Sequence, residues 1–171
     1  MKSILYRPFI VIIVIYYVNS FHVQNDADIT NCGEDLAWMY EADTGLGCVM
    51  IMMDKEQKFN YDGAKQWCSG KNAYLIEIHT PQQMEFIKLK LRTLASAQSG
   101  WGLWWGGGSK KTEGEDSCWV WGNSGKLVQD FVWDNGQPNQ DGPFFCFDSG
   151  AGYNGVACRK DSTFRTICQK K

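Results

Sequence analysis

Seven cysteines constrain this chain more than any other feature. They are Cys32, Cys48, Cys68, Cys118, Cys146, Cys158 and Cys168 in a chain of 171 residues. A structural metal centre draws on closely spaced Cys and His ligands. No Cys-x-x-Cys pair occurs, and His22 and His79 are the only histidines. The cysteines therefore read as a disulfide framework built in an oxidising compartment. Seven is odd, so at least one thiol is left over. Spacing alone does not choose among the roughly one hundred arrangements this permits.

The N-terminus supplies the matching address. Lys2 and Arg7 form a basic region, Phe9–Val18 a ten-residue apolar stretch, and Val18-Asn19-Ser20 a cleavage site. Ten apolar residues suit a secretory signal and are too few to span a bilayer. The organisation expected is a signal peptide over 1–20, a polar arm over 21–31 and one domain over 32–171, secreted and without a membrane span. Removing 1–20 takes two basic residues and no acidic ones, leaving 15 Lys plus Arg against 19 Asp plus Glu. There is no basic run, which argues against nucleic acid or an anionic membrane as a partner. No N-glycosylation sequon is present.

Local signals predict two helices and several short strands. Asn60 is an N-cap candidate for a helix over Tyr61–Ser69, with Gly70 as its stop. Thr80-Pro81-Gln82-Gln83 reads as a capping box with proline at the first helical position. Met84, Ile87, Leu91 and Leu94 then recur at helical spacing, so the second helix should reach about Ala95. His79, just before the cap, reads as structural. Strands are expected over Cys48–Met53, Ala73–Ile78, Trp119–Trp121, Cys146–Phe147, Gly155–Cys158 and Phe164–Cys168. Cys32 to Cys48 reads as a small clipped loop or hairpin, and Lys110–Asp116 as a charged loop. Most of the eight tryptophans should fill the core, with Trp133 the exception.

The stretch Phe131–Cys146 centres on Gln137-Pro138-Asn139. Proline fixes its own φ and removes a donor, so the two amides keep a set relation. Each offers a carbonyl oxygen to a cation and an NH₂ to a hydroxyl. That chemistry suits a sugar diol, gripped directly or across a calcium ion.

In this order, these pieces resemble the C-type lectin-like domain. The matching residues are Trp67-Cys68, Leu75-Ile76-x-Ile78, Trp104-Trp105-Gly106-Gly107, Trp119-Val120-Trp121, Trp133-x-x-Gly136-Gln137-Pro138-Asn139, Cys146, Cys158 and Ile167-Cys168. The resemblance covers Cys32 to Cys168. It implies an α+β fold of two helices with short antiparallel sheets and a long ligand-binding loop region. It also implies the bridges Cys68–Cys168, Cys146–Cys158 and Cys32–Cys48, the last being the family's long-form addition. Cys118 is then unpaired. It is expected to be a free, poorly accessible thiol, with an intermolecular disulfide as the alternative.

The resemblance further implies calcium as cofactor, held in the long loop by Gln137, Asn139, Asn154 and Asp141. Sugar contacts would come from Gln137, Asn139, Asp141, Asn154 and Trp133. The chain departs from the family pattern here. Positions where the family carries charge hold Gln137, Phe144 and Gly155. Calcium affinity follows the number of charged ligands, so binding should be weak or absent. Asp141 is the best rescuer, with Asp134 and Asp148 more remote. On the same reasoning Gly155→Asp should strengthen calcium binding. The expected function is a carbohydrate-binding module; the alternative is a protein-binding domain of the same fold that has lost calcium and sugar. An enzyme is not expected, since the domain lacks a nucleophile motif and a general base tuned near neutrality. Gly106-Gly107-Gly108 lacks the Lys-Ser/Thr of a phosphate loop.

Overall fold

Asn60 opens the first helix in the way its side chain favours. Its Oδ1 accepts the Gly63 N–H at 2.9 Å, and α1 follows over Tyr61–Ser69. Tyr61, Ala64 and Cys68 turn inward at helical spacing. The stop is made beyond Gly70, which keeps a helical φ of −62°. Asn72 instead takes φ 54°, while the N–H groups of Ala73 and Asn72 donate to the carbonyls of Cys68 and Ser69, each at 3.0 Å. That is a Schellman ending with asparagine at its left-handed position.

The structure, a computed structural model, describes residues 32, 33, 35, 37–98, 102–113 and 116–170. The signal peptide and arm expected over 1–31 lie outside the described residues, as does Trp101. The second helix, α2, spans Pro81–Gln98, longer than its apolar pattern suggested. Thr80 Oγ1 accepts the Gln83 N–H at 3.2 Å. Gln83 Oε1 reaches back to the His79 N–H at 2.7 Å rather than to that of Thr80, and its amide nitrogen donates to the Thr44 carbonyl at 3.0 Å. The cap therefore also ties α2 to the N-terminal hairpin. Among the described residues no helix is long and apolar enough to cross a membrane.

Among the described residues eight strands make up the sheet: β1 (Met39–Glu41), β2 (Gly47–Ile51), β3 (Tyr74–Leu75), β4 (Leu103–Glu113), β5 (Asp116–Trp121), β6 (Phe144–Asp148), β7 (Asn154–Cys158) and β8 (Arg165–Gln169). Their order is β1-β2-β8-β4-β6-β7, with β3 added to β8 and β5 to β4. Only β4 against β8 is parallel. The Cys32–Cys48 segment is a hairpin, Tyr40 facing Cys48. The strand expected over Ala73–Ile78 shrinks to two residues, although the Ile76 N–H still reaches the Ile167 carbonyl at 3.0 Å. In the charged segment Lys110–Asp116, expected as a loop, the described residues are strand: Lys110–Glu113 end β4 and Asp116 opens β5, while 114 and 115 lie outside the described residues. β4 continues through Lys110, Lys111 and Thr112 and pairs residue by residue with β5. Its charge reflects a hairpin standing clear of the core, whose strands need no apolar side chains there.

The three glycines of β4 have a packing reason. A Cβ on Gly106 would lie 2.7 Å from the Phe145 ring, and one on Gly107 would lie 2.6 Å from the Leu75 carbonyl oxygen. The strand is pressed between Phe145 on one face and β3 on the other, so only hydrogen fits. Around it Trp104, Trp105, Trp121, Phe145 and Phe147 are fully buried. The Trp104 and Trp105 indole N–H groups donate to the carbonyls of Met52 (3.0 Å) and Phe59 (2.7 Å), which satisfies both inside the core. Trp133 is only partly buried, but it too packs on this cluster, 5.1 Å from the Phe145 ring.

Cys68–Cys168, Cys146–Cys158 and Cys32–Cys48 are bonded. The first joins α1 to β8. Lys170 folds back to the start of the domain, its Nζ 3.0 Å from the Cys32 carbonyl and 4.1 Å from the centre of the Trp38 ring. Cys118 is free and, contrary to expectation, exposed. It sits opposite Lys111 in the outer half of the β4–β5 hairpin, where β5 has not yet reached the core.

Candidate functional site

Residues 133–141 run along β7. Trp133 bridges Gly155 in parallel, and the Asp134 N–H donates to the Gly155 carbonyl at 2.9 Å. The Gln137 N–H returns to the Asp134 carbonyl at 3.0 Å, closing a turn. The Gln137–Pro138 peptide is cis.

Gln137 does not serve as an outward ligand. Its Oε1 accepts two backbone N–H groups, from Asn139 and Ala157, each at 3.0 Å. A carbonyl oxygen has two lone pairs, so both are used in pinning the loop to β7. Asn139 and Asp141 form a separate unit. Asn139 Oδ1 accepts the Asp141 N–H at 3.0 Å, and Asn139 Nδ2 donates to Asp141 Oδ2. Asn154, at the start of β7, points its Nδ2 to Asp134 Oδ1 at 3.0 Å. The predicted site residues are thus divided into two amide–carboxylate pairs, Asn139–Asp141 and Asn154–Asp134, with Gln137 as the brace between loop and strand. Trp133 packs edge to face on Trp119, ring centres 4.7 Å apart, so one flank of the loop is aromatic. Asp148 is outside this group; it caps the short turn after β6, accepting the Gly150 N–H at 2.8 Å.

This donor set does not fit calcium. The ion takes roughly six to eight oxygens. Gln137 Oε1 is fully used, Asn139 Oδ1 already accepts one N–H, and Asn154 approaches the loop through a nitrogen that only donates. Among the described residues no three of His, Cys, Asp and Glu gather as a metal site would require. The expected gain from Gly155→Asp is also corrected. A Cβ at Gly155 would lie 2.1 Å from Phe145 Cε2 and 2.8 Å from the Val132 carbonyl oxygen. Phe144, another of the three positions where charge was missing, packs its ring on Tyr61 with centres 3.9 Å apart. Aromatic packing has taken the space at both positions.

Asp134 is the loop residue that sequence reasoning placed too far away. Twenty residues separate it from Asn154, and only the Trp133–Gly155 bridge brings them together. Glu77 was not singled out at all. It is 2% exposed, and its Oε1 accepts the N–H groups of Asn123 (2.5 Å) and Ser124 (3.0 Å), fixing the turn after β5. Its Oε2 lies 3.4 Å from His79 Nε2, which gives His79 the structural role expected of it. An apolar strand run containing one glutamate was the available signal.

No family model matches the chain. Solved structures do resemble it. A complex of SPL-1 with GlcNAc superposes with a TM-score of 0.65 at 19% identity, covering 82% of this chain and 96% of that one. SPL-2 from Saxidomus purpuratus, a Ca²⁺-independent C-type lectin, superposes at 0.63 and 18% identity, over 78% and 90% of the two chains. A calcium-independent type II antifreeze protein superposes at 0.60 and 21% identity, over 80% and 93%.

Proposed function

We propose that this chain, which has the C-type lectin-like fold, is a secreted carbohydrate-binding module, not an enzyme, and that it contacts sugar at the 133–141 loop without calcium. The observation that carries this reading is the pairing of two amides with carboxylates, Asn139 with Asp141 inside the loop and Asn154 of β7 with Asp134. Asn139 and Asn154 each keep a further N–H to donate, while Asp141 and Asp134 keep lone pairs to accept. Neighbouring hydroxyls of a sugar need that combination, and hydrogen bonds to ionised groups are the stronger kind. Gln137 keeps the loop in place, and Trp133 with Trp119 gives the sugar an apolar flank. That calcium-independent proteins such as SPL-2 share the fold supports the reading.

A second reading is favoured by the exposed apolar residues beside the loop. Leu127 is 58% exposed and Phe131 36%. With the accessible Cys118, they suit a protein partner better than a glycan. A glycan array probed with and without calcium separates the two. The expected result is binding in chelator that is lost in Asp141→Asn and reduced in Asn139→Ala. Binding that requires calcium overturns the metal-free mechanism. No binding in either condition moves the assignment to the protein partner.

A further inference from the structure

A cleft of about 490 Å³ opens between α1 and the face formed by β3, β4, the turn after β5 and the start of β6, and none of its lining residues belongs to the 133–141 loop. That volume lies within the roughly 300–1,000 Å³ of small-ligand sites. Ser69, Ala73, Tyr74 and Asn123 also line a second depression of about 350 Å³, so the cleft continues into a longer groove. Its wall is aromatic, with Tyr61 stacked on Phe144 and Tyr74 beside them. Its charge is positive. Lys65 and Lys111 line it, and no carboxylate of the described residues is within ion-pair distance of either. The one acid of the lining, Asp62, is held by Lys160 at 2.7 Å. On a chain with formal net charge −2, this is a local reversal of sign.

The floor excludes an added β-strand as occupant. The Gly107 N–H donates to the Ile76 carbonyl and the Gly122 N–H to the Gly107 carbonyl, both at 2.8 Å. The backbone there is already paired and leaves no ladder for an added strand. Recognition must come from side chains: ammonium groups, phenols, the Ser109 hydroxyl and the Asn123 amide. Flat rings accept the C–H face of a pyranose, the polar groups accept its hydroxyls, and the lysines accept an anionic substituent. Tyr61, its pKa pushed up to about 12 chiefly by burial, stays a neutral phenol at any physiological pH.

We infer that this cleft is a second glycan site, specific for a linear saccharide bearing carboxylate or sulfate groups and independent of both the loop and any metal. The test is calorimetry on the mature chain in chelator with three tetrasaccharides of equal length: sulfated with uronic acids, the same after desulfation, and neutral. Both charged probes should bind and the neutral one should not. The double variant Lys65→Gln, Lys111→Gln, both exposed positions, should weaken binding by at least about tenfold. Tyr74→Ala should weaken it as well, with thermal unfolding as the check on folding. Four results overturn the proposal: equal binding of the neutral probe, unchanged binding in the double lysine variant, loss of binding in Asn139→Ala, or equal competition by a glutamate peptide of matched charge. The last would reduce the site to non-specific electrostatics. Failure of the loop reading on the glycan array is a separate outcome, because it is read with the loop variants Asp141→Asn and Asn139→Ala, neither of which lines the cleft.

Discussion

A side chain at Gly155 has nowhere to go: its Cβ would meet Phe145 Cε2 at 2.1 Å and the Val132 carbonyl oxygen at 2.8 Å. Adding a carboxylate there forces a buried ring and a strand apart and buries a charge. Gly155→Asp should therefore cost about 3 kcal/mol of stability, read as a lower urea midpoint with no gain in calcium affinity by calorimetry. Tyr61 carries a different consequence. Burial first, then the nearby charges of Asp62 and Glu77, raise its phenol from 10.0 to about 12. A pKa raised on folding adds stability that is complete below pH 10 and is lost as pH climbs toward 12. Thermal midpoints should fall across that interval, and Tyr61→Phe should flatten part of the fall.

Among the elements, the β4–β5 hairpin is the one whose outer half serves the core least. Asp116, Ser117 and Cys118 are exposed, while Val120 and Trp121 are buried. The hairpin anchors at one end and projects at the other. Cys118 should consequently react with one equivalent of a thiol reagent in the native state. Cys118→Ser should shift stability by less than about 0.5 kcal/mol, and a larger loss on thermal unfolding would mean the thiol packs after all. The same hairpin lends Ser109 and Lys111 to the cleft opposite α1, while Lys110, one residue between them, lines the shallow surface beside Asn139 and Gly142. One strand thus serves two surfaces by alternation alone.

For the whole molecule, the bridges differ in what they constrain. Cys68–Cys168 closes 100 residues and Cys146–Cys158 closes 12. Chain entropy in the unfolded state makes these worth about 4.7 and 3 kcal/mol. Replacing the long-range pair by alanines should lower the denaturation midpoint more than replacing the short one. Equal losses would mean that local packing around β6 and β7 outweighs loop length. The long bridge also holds α1, one wall of the proposed cleft, against β8. Its removal should therefore weaken the acidic saccharide before it affects the loop.

Much of this molecule is legible in its sequence. Asn60, Thr80 and Pro81 mark both helix starts because capping is a local exchange between a side chain and the next three N–H groups. The ordered tryptophan, glycine and cysteine motifs mark the fold. What lies beyond reach is set by contacts between distant residues. Asn72 rather than Gly70 ends α1, because the left-handed position depends on where the chain turns toward β3. Gln137, read as a ligand, is a brace, because Ala157 offers an N–H that only the β7 register brings near. Tyr61, Lys65 and Ser69 along one face of α1, and Gly107, Ser109 and Lys111 along one face of β4, do carry a periodic signal of the cleft. The sequence by itself determined each stripe, through the 3.6 and 2.0 repeats of helix and strand. Only the tertiary structure decided that the two stripes face each other, because a stripe states which side a residue takes and not what stands across from it.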